Sequence, residues 1–394
     1  MSGLTHVGQY WSSTHCEIRL LGCADVGVGP DGRLVGSAVD LDRVLPLPDF
    51  RRQFRAAFGG RRWSEVSWAY SALPTPSVEL VEYAESSGLD LVAWARGLSA
   101  ASGAPARALA ELDVTPDAAV DHLVAPIIPR RAQGFGVTYL NSALERETEG
   151  RRGDYAYVYR AVKERSERPE IFLKGTSSEH FVGPRGRMGL RRDLTNSEAL
   201  DGTASERVVV AAGIEPELAA VVYSSGKIWG YTLANDVSGN RLENETLLYL
   251  AQAKHFTGSL VLGPLIWLSE EQGNPDLDLR VRVFAADGEQ LFEHETNTSR
   301  ISARLEKLVE WAGSHVRLQP GEVFSTGTDC VPDGAVKVLQ PGHEVEIAAP
   351  KIGVLRHGAA VIPEVEPLQG ENHRINELNP NYSHLEFAGK NTRD

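Results

Sequence analysis

The stretch that decides the fold is residues 213–236, GIEPELAAVVYSSGKIWGYTLAND. Two apolar runs flank the turn sequence SSG, and this alternation predicts a β-hairpin. Glu215 and Glu217 open the first strand, where residues at i and i+2 point to the same face. Asp236 ends the second strand, so pairing within the hairpin brings it beside the two glutamates. The segment therefore predicts three carboxylates at one end of a hairpin.

Three carboxylates from neighbouring strands form a ligand set that suits a hard cation. Mg²⁺ prefers oxygen ligands in near-octahedral geometry and keeps open positions for water or substrate oxygens. The predicted cluster contains no histidine or cysteine, which argues against zinc. Glu215 and Glu217 alone also fit an acidic turn at the solvent edge, because charged residues are mostly exposed. The position of Asp236 favours the metal site over that simpler interpretation.

A lysine and a glycine turn follow the hairpin as further candidates for chemistry. Lys254 lies among apolar neighbours in LLYLAQAKHF. A partly desolvated lysine beside a metal has a lowered pKa and suits proton abstraction, whereas a surface lysine is the simpler alternative. Thr326, Gly327 and Thr328 stand in FSTGTDCVPDG, where hydroxyls and backbone N–H groups can hold a carboxylate. An ordinary turn explains this second sequence equally well.

The chain before the hairpin mixes short strands with a helical segment. GVGPDGRLVG, residues 27–36, predicts a turn between two strands. Residues 77–123, which include ARALAEL, then show apolar positions at helical spacing, and Gly88 is placed to end the first helix. APIIPRRAQGFG, with its prolines and glycines, indicates a boundary near residue 125. We therefore predict a smaller α+β N-terminal domain over residues 1–125.

Short β-rich segments separated by turn clusters dominate beyond that boundary. Helices are predicted at only two places, residues 243–256 and 302–315. This pattern predicts a mixed α/β, mostly β domain over residues 126–394, built as a sandwich or rolled barrel rather than a doubly wound sheet. The polar tail after Pro363 predicts an extended arm on the body or on a partner subunit.

The composition excludes several functional classes. The chain has 394 residues, 42% of them hydrophobic and 24% charged, as in ordinary soluble proteins. Its net charge of −13 argues against binding to nucleic acid or to anionic membrane surfaces. The three cysteines form no CxxC pair, which favours a reduced, cytoplasmic setting. The most apolar run, residues 260–268, is too short to span a bilayer. GxSxG is absent, so a serine hydrolase is not supported.

Several segments together resemble the fumarylacetoacetate hydrolase family in order and spacing, from about Gly134 to Val361. The matching segments are GIEPELAAVV (213–222), GYTLANDVS (230–238), LYLAQAKHFTGSLVLGP (248–264), GEVFSTGTDCVPD (321–333) and LQPGHEVEIAAPKIGVLRHGAAV (339–361). The resemblance is specific because several motifs agree in sequence order. It implies a catalytic domain that is a mixed β-sandwich roll, assembled as a homodimer or a dimer of dimers.

The resemblance also implies roles for individual residues. Mg²⁺, with Mn²⁺ or Ca²⁺ as alternatives, would be bound by the Glu-x-Glu pair and the aspartate, and a lysine would follow. The corresponding residues here are Glu215, Glu217, Asp236 and Lys254. The TGT turn at residues 326–328 would contact the carboxylate of a small 2-keto acid substrate.

Two branches of the family differ within the segment that corresponds to GVTYLNSALERE, residues 136–147. The C–C bond hydrolases carry a histidine where this chain has Ser142. The segment looks more like the 2-keto-3-deoxy sugar-acid dehydratases, which also have a separate N-terminal region. One departure affects the substrate: after Ser238 that branch reads an Arg-Asp pair, whereas this chain has Asn240 and Arg241. Arg241 is a candidate to substitute in substrate binding, together with Ser238 and Thr257.

We therefore predict a metal-dependent lyase that removes water from a 2-keto acid through a metal-stabilised enolate. Lys254 is the candidate base at C3. Arg146 and Glu149 lie on a helix-like segment that would form part of a lid, and Glu149 is a candidate acid for the leaving hydroxyl. Three alternatives stay open: a hydrolase or decarboxylase of an acylpyruvate or oxaloacetate-like acid, a biosynthetic enzyme with a larger substrate, and a non-catalytic binding protein on the same fold.

Overall fold

A computed structural model describes residues 3–44, 75–98, 106–148, 154–165, 167–193, 208–209, 213–332 and 336–362. Two of the predictions fall outside these residues. They are the extended arm after Pro363 and the position of Glu149.

Strands are the main regular structure of the described catalytic segment, as its β-rich texture predicts. The strands are β1 His6–Ser12, β2 Glu17–Val28, β3 Leu34–Asp40, β4 Arg107–Ala108, β5 His122–Leu123, β6 Ala132–Gly136, β7 Glu170–Gly175, β8 Phe181–Val182, β9 Arg187–Leu190, β10 Arg192–Asp193, β11 Val208–Val209, β12 Pro216–Val222, β13 Ile228–Asp236, β14 Leu260–Leu268, β15 Asp278–Phe284, β16 Gln290–Asn297, β17 Glu322–Ser325, β18 Glu344–Ala349 and β19 Gly353–Val361.

The described residues contain fewer helices than strands. The α-helices are α1 Leu41–Val44, α2 Pro76–Ser87, α3 Leu91–Gly97, α4 Leu140–Thr148, α5 Asp154–Arg165, α6 Asn240–Glu245, α7 Leu250–Lys254 and α8 Leu305–Gly313. Short 3₁₀ helices cover Leu109–Glu111, Ser178–His180, Leu247–Tyr249 and Thr298–Arg300. Within the described ranges, no helix is long and apolar enough to cross a lipid bilayer.

The larger sheet contains the predicted hairpin near its middle. Its order is β4-β3-β2-β1-β14-β13-β12-β17-β6-β7, with β5 paired to β1 and β8 paired to β14. β12 and β13 are antiparallel neighbours, as the sequence of the turn predicts. β17 pairs with β6 in parallel, so the sheet is mixed. A second sheet has the order β16-β15-β18-β19-β9, and β10 pairs with β11.

β12 is buried on both faces, which explains why its sequence is almost continuously apolar. Leu218 and Ala220 belong to one core with Ile347 of the second sheet. Val221 points the other way and packs in a second core with Val78 of α2. The two sheets thus form the mixed, mostly β sandwich that the sequence predicts, and the carboxylate-bearing hairpin lies between its two cores.

The N-terminal segment contributes strands to the larger sheet. β2 and β3 form the predicted hairpin, and β1 pairs with β14 through His6 opposite Trp267. Gly88 follows α2 in the left-handed conformation, at φ 70°, as expected for a residue that ends a helix. The helical prediction for ARALAEL is wrong, because Arg107–Ala108 pairs with β3 and only Leu109–Glu111 forms a 3₁₀ turn. The domain boundary near residue 125 stays a prediction.

The prediction of only two helices in the catalytic segment is wrong. α4 and α5 precede β7 and lie outside the predicted pair, although α4 contains Arg146 of the segment described as helix-like. The predicted helix over residues 243–256 is divided, since Thr246 is extended at φ −166° and separates α6 from the 3₁₀ turn and α7. The other predicted helix is α8, which ends at Gly313 as expected.

Candidate active site

The three predicted carboxylates meet at the end of the β12–β13 hairpin. Pro216 lies opposite Asn235 in the strand register, and the Asp236 N–H donates to the Glu215 carbonyl at 2.9 Å. One carboxylate oxygen from each of Glu215, Glu217 and Asp236 lies within 4.8 Å of the others. The hairpin therefore brings together the three side chains that the sequence analysis selected.

Burial rules out the solvent-edge interpretation for Glu217, whereas the Glu215 side chain is 15% exposed. Glu217 is 1% exposed and Asp236 is fully buried. Burial raises the pKa of Glu217 well above its usual range, and the charges of Asp236 and Glu215 add to this effect. Burial also raises the pKa of Asp236, against the opposing effect of Lys174 and Lys254. Carboxylates in this setting need a cation.

Asp236 shows how well the cluster suits such a cation. Both of its carboxylate oxygens are buried: Oδ1 is ion-paired with Lys174 Nζ, whereas Oδ2 has Lys254 Nζ at 3.5 Å. Buried polar oxygens are normally satisfied by a donor, water or ion. An all-oxygen set of three carboxylates is the kind of ligand set that Mg²⁺ prefers. The residues present therefore fit a magnesium ion.

Lys254 lies at this cluster rather than on the surface. It ends α7 with only 2% of the residue exposed. Its Nζ donates to Glu215 Oε2 at 2.6 Å and to Ser238 Oγ at 2.5 Å, and it lies 3.5 Å from Asp236 Oδ2. The ammonium is also 4.8 Å from the centre of the Phe172 ring. The surface interpretation of Lys254 is wrong, and a base at this position would lie beside the metal.

The TGT turn is fixed to the same hairpin. The Thr326 and Thr328 hydroxyls donate to the Leu218 and Pro216 carbonyls at 2.8 and 2.9 Å. The Gly327 N–H donates to Glu217 Oε2 at 2.8 Å. Gly327 has φ +88°, and a Cβ there would lie 2.0 Å from Thr138 Oγ1. The turn is thus more than an ordinary connection, because it orients a candidate metal ligand.

Of the two lid candidates, Arg146 lies within the described residues, in α4. Ser142 falls within the same helix. The helix follows Thr138, whose hydroxyl donates to the Thr326 carbonyl at 2.6 Å, so it begins next to the TGT turn. The roles of Arg146 and Glu149 stay predictions.

The sequence departure after Ser238 lies at the start of α6. Asn240 packs against the strand segment before Glu215, since a Cβ on Gly213 would meet its side-chain amide at 2.2 Å. Arg241 is the next residue of the same helix. Thr257 lies in the turn after α7, where its carbonyl oxygen packs against Gly189. Substrate binding by Arg241 and Thr257 stays a prediction.

Sequence analysis missed Lys174. This residue of β7 has no exposed side-chain surface, and its Nζ forms an ion pair with Asp236 Oδ1. The same Nζ donates to the Val237 carbonyl at 2.9 Å. Burial lowers the pKa of Lys174, against the raising effect of the Asp236 charge. The available signal was a lysine inside the apolar strand sequence EIFLKG, where a charge is costly without a partner.

Fold, carboxylate cluster and lysine together define a class of protein. The fumarylacetoacetate (FAA) hydrolase C-terminal family matches residues 152–359, and the chain belongs to this family. The recognition made from the motifs is therefore confirmed.

Particular relatives are named as dehydratases. The chain is 34% identical over 255 residues to the "Probable 2-keto-3-deoxyxylonate dehydratase" of Haloferax volcanii, which covers 64% of this chain and 80% of that protein. It is 35% identical over 240 residues to the 2-dehydro-3-deoxy-D-arabinonate dehydratase of Saccharolobus solfataricus, which covers 59% of this chain and 72% of that protein. These relatives are 2-keto-3-deoxy sugar-acid dehydratases, which are lyases.

A solved structure shares the fold. It is a 2-keto-3-deoxy-D-arabinonate dehydratase complexed with magnesium and 2,5-dioxopentanoate, with a TM-score of 0.57 and 22% identity, covering 91% of this chain and all of that one. At this level of identity the likeness shows the fold, and inferences about function rest on the sequence relatives.

Proposed function

We propose that this protein is a magnesium-dependent dehydratase of a 2-keto-3-deoxy sugar acid. The observation that carries this proposal is the convergence of Glu215, Glu217, Asp236 and Lys254 in a chain whose sequence relatives are dehydratases of this kind. Fold resemblance alone does not fix a reaction, so the intact site is essential to the proposal.

The three carboxylates are the proposed magnesium ligands. When bound, the ion would attract the carboxylate and keto oxygens of the substrate and stabilise negative charge on the keto oxygen. The TGT turn at 326–328 would lie against the substrate carboxylate. Because its two hydroxyls and the Gly327 N–H donate to Leu218, Pro216 and Glu217, one of these donors would have to turn to the substrate when it binds. The Gly327 contact with Glu217 links this turn to the metal ligands.

Lys254 is the proposed base. Glu215 and Ser238 hold its Nζ beside the carboxylate cluster, where the unprotonated amine would take a proton from C3 of the substrate. Loss of the C4 hydroxyl as water then completes the elimination. Glu149 is the proposed donor of the proton to that hydroxyl, and Arg146 a proposed part of the lid. Thr257 and Arg241 are proposed to contact the rest of the substrate.

Ser142 favours dehydration over C–C cleavage. Hydrolytic cleavage of the C3–C4 bond needs an activated water, and the family's hydrolases use a histidine at this position. A serine is a much weaker base, whereas elimination of a hydroxyl needs no activated water. The retained carboxylates and lysine also speak against a non-catalytic binding protein.

The direct test is product analysis. The purified protein is incubated with Mg²⁺ and 2-keto-3-deoxy-D-arabinonate or its xylonate counterpart, and the products are separated by mass. Loss of one water across C3–C4 of the five-carbon acid gives a 5-hydroxy-3-ene. This product isomerises to 2,5-dioxopentanoate, which we expect, when the C5 proton moves to C3 and the C5 hydroxyl proton moves to C4. Pyruvate would show C–C cleavage instead, and unchanged substrate would contradict the assigned substrate class.

We also propose that the enzyme works in the cytoplasm as a homodimer or a dimer of dimers, without nucleic-acid or membrane partners. The acidic net charge and the absence of a CxxC pair support this setting. Light scattering on a sizing column would determine the oligomer.

A further inference from the structure

Lys174 holds both the side chain and the backbone at one candidate metal ligand. Its Nζ forms an ion pair with Asp236 Oδ1 and donates to the carbonyl of Val237, the next residue, at 2.9 Å. Its own carbonyl accepts the Ser259 hydroxyl at 3.2 Å, which fixes β7 to the start of β14. The ammonium is therefore held by Asp236 and Val237, and the backbone that carries it is held by Ser259.

The other two carboxylates show the same arrangement. Glu217 Oε2 accepts the Gly327 N–H at 2.8 Å, and Glu215 Oε2 accepts Lys254 Nζ at 2.6 Å. Each carboxylate thus has one oxygen held by a protein donor, and one oxygen of each carboxylate lies within 4.8 Å of the others. Asp236 differs in that its donor is a second lysine, which the proposed reaction does not use.

Burying a lysine completely costs free energy, because its charge loses contact with water. A methionine would fill a similar volume without the cost of desolvating a charge. The placement of Lys174 against one oxygen of Asp236 therefore calls for a reason beyond packing. The chemistry of the candidate ion supplies one, since Mg²⁺ requires near-ideal octahedral geometry, whereas Ca²⁺ accepts bidentate carboxylates and six to eight ligands.

We propose that Lys174 is a positioning residue that restricts Asp236 to a single ligand oxygen and so makes the site prefer Mg²⁺ to Ca²⁺. This inference rests on the metal site of the proposed function. Without the lysine, both Asp236 oxygens become available, which suits the larger ion. Because Mg²⁺ and Ca²⁺ carry the same charge, the ratio of their affinities separates this geometric effect from the loss of a positive charge.

The test measures Mg²⁺ and Ca²⁺ binding by calorimetry on metal-free wild type, on Lys174→Met and on the control Lys227→Met, which removes an exposed lysine. For wild type we expect tighter binding of Mg²⁺ than of Ca²⁺. In Lys174→Met the preference for Mg²⁺ should fall by about tenfold or more, as for other residues that orient metal ligands. Lys227→Met should keep the wild-type ratio.

The outcomes separate this inference from the proposed function. If wild type binds neither ion, the metal site itself fails. If wild type binds both ions but Lys174→Met leaves their affinity ratio unchanged, or if wild type prefers Ca²⁺, only the role of Lys174 is refuted. Circular dichroism shows whether each variant is folded. If Lys174→Met does not fold, Lys174→Gln is measured in its place and judged by the same ratio of Mg²⁺ to Ca²⁺ affinity. A purely structural role would lower the melting temperature without changing the ratio.

Discussion

Lys254 is the residue on which the proposed chemistry depends most. Its Nζ lies between Glu215 Oε2 and Ser238 Oγ, and the Phe172 ring covers it. Two acceptors and an apolar ring fix the amine beside the carboxylates while limiting its contact with water. Such a group is well placed to take a proton from a substrate that the metal has oriented.

We predict that Lys254→Met lowers kcat by at least about 10²-fold, the usual contribution of a general base. The methionine replaces the apolar stem of the lysine without its amine, so the fold and Mg²⁺ binding should persist. Steady-state rates and calorimetry measure the two effects separately. Lys227→Met is the matched control and should keep the wild-type rate. A near-normal rate for Lys254→Met would exclude it as the base.

We predict that Glu217→Gln abolishes Mg²⁺ binding and activity together. The amide oxygen of glutamine still accepts the Gly327 N–H, but the ligand charge is lost. Calorimetry and product analysis on the same preparation check this result, and the melting temperature checks the fold. Full turnover with full Mg²⁺ affinity would refute the assignment of Glu217 as a ligand.

Individual site residues differed in how far the sequence could predict them. Glu215, Glu217 and Asp236 belong to one hairpin, so local alternation and one turn were enough to place them together. Lys174 is 63 residues away from its hydrogen-bond partner Val237. Their contact depends on where β7 lies in the finished fold, and local periodicity carries no information about that.

At the scale of elements, the β12–β13 hairpin is held from both of the sheets. Asn235 Oδ1 accepts the Glu215 N–H at 2.9 Å, and its Nδ2 lies 3.2 Å from His357 Nε2 on β19. The acceptor role of Nε2 requires a neutral imidazole. Through Asn235, His357 of the second sheet therefore helps to fix the backbone at Glu215.

The TGT turn offers a second test at this scale. Gly327→Ala adds a Cβ that would lie 2.0 Å from Thr138 Oγ1, in addition to the strain of φ +88°. Gly288→Ala is a matched control, because Gly288 has φ +90° and a Cβ there would have no atom within 4 Å.

We predict that Gly327→Ala lowers the free energy of unfolding by at least about 1 kcal/mol more than Gly288→Ala, since only the first displaces packed atoms. Gly327→Ala should also lower kcat/KM, whereas Gly288→Ala should not. Urea unfolding and steady-state rates measure these differences. Equal losses in the two variants would mean that the turn is not tightly packed against Thr138.

Elements with a strong local signal were predicted well. The hairpins and the end of α2 at Gly88 follow from turn residues and helix-capping preferences. ARALAEL was mistaken for a helix because its apolar spacing is helical, but edge pairing with β3 overrides that preference. α6 and α7 were predicted as one helix, since the sequence around Thr246 contains neither proline nor glycine.

At the scale of the whole molecule, buried histidines connect distant parts of the fold and predict how stability depends on pH. Burial lowers the pKa of His6 and of His357 to about 4 from the usual 6.5. A lowered pKa in the folded state means that protons bind more tightly to the unfolded chain. The stability from each histidine is therefore present above pH 6.5 and is lost as the pH falls toward 4.

The buried His6 should contribute to a fall in the unfolding free energy when the pH is lowered from 7 to 4.5. We predict that this fall is smaller in His6→Gln than in wild type, by about 1–3 kcal/mol. His15→Gln, at an exposed histidine, should leave the loss unchanged. Urea unfolding at several pH values supplies the data. The buried carboxylates have raised pKa values and so affect the pH dependence of stability in the opposite direction. Because both proteins contain them, their effect cancels in the comparison.

The pairing of β1 with β14 has a consequence for anyone who shortens this protein. A truncated chain that began at the sequence boundary near residue 125 would lack β1 and uncover the end of β14 at Ile266 and Trp267. An uncovered apolar strand edge readily recruits strands from other molecules. Dissecting the enzyme at that boundary would therefore be expected to yield aggregates, even though the removed segment contains none of the proposed ligands.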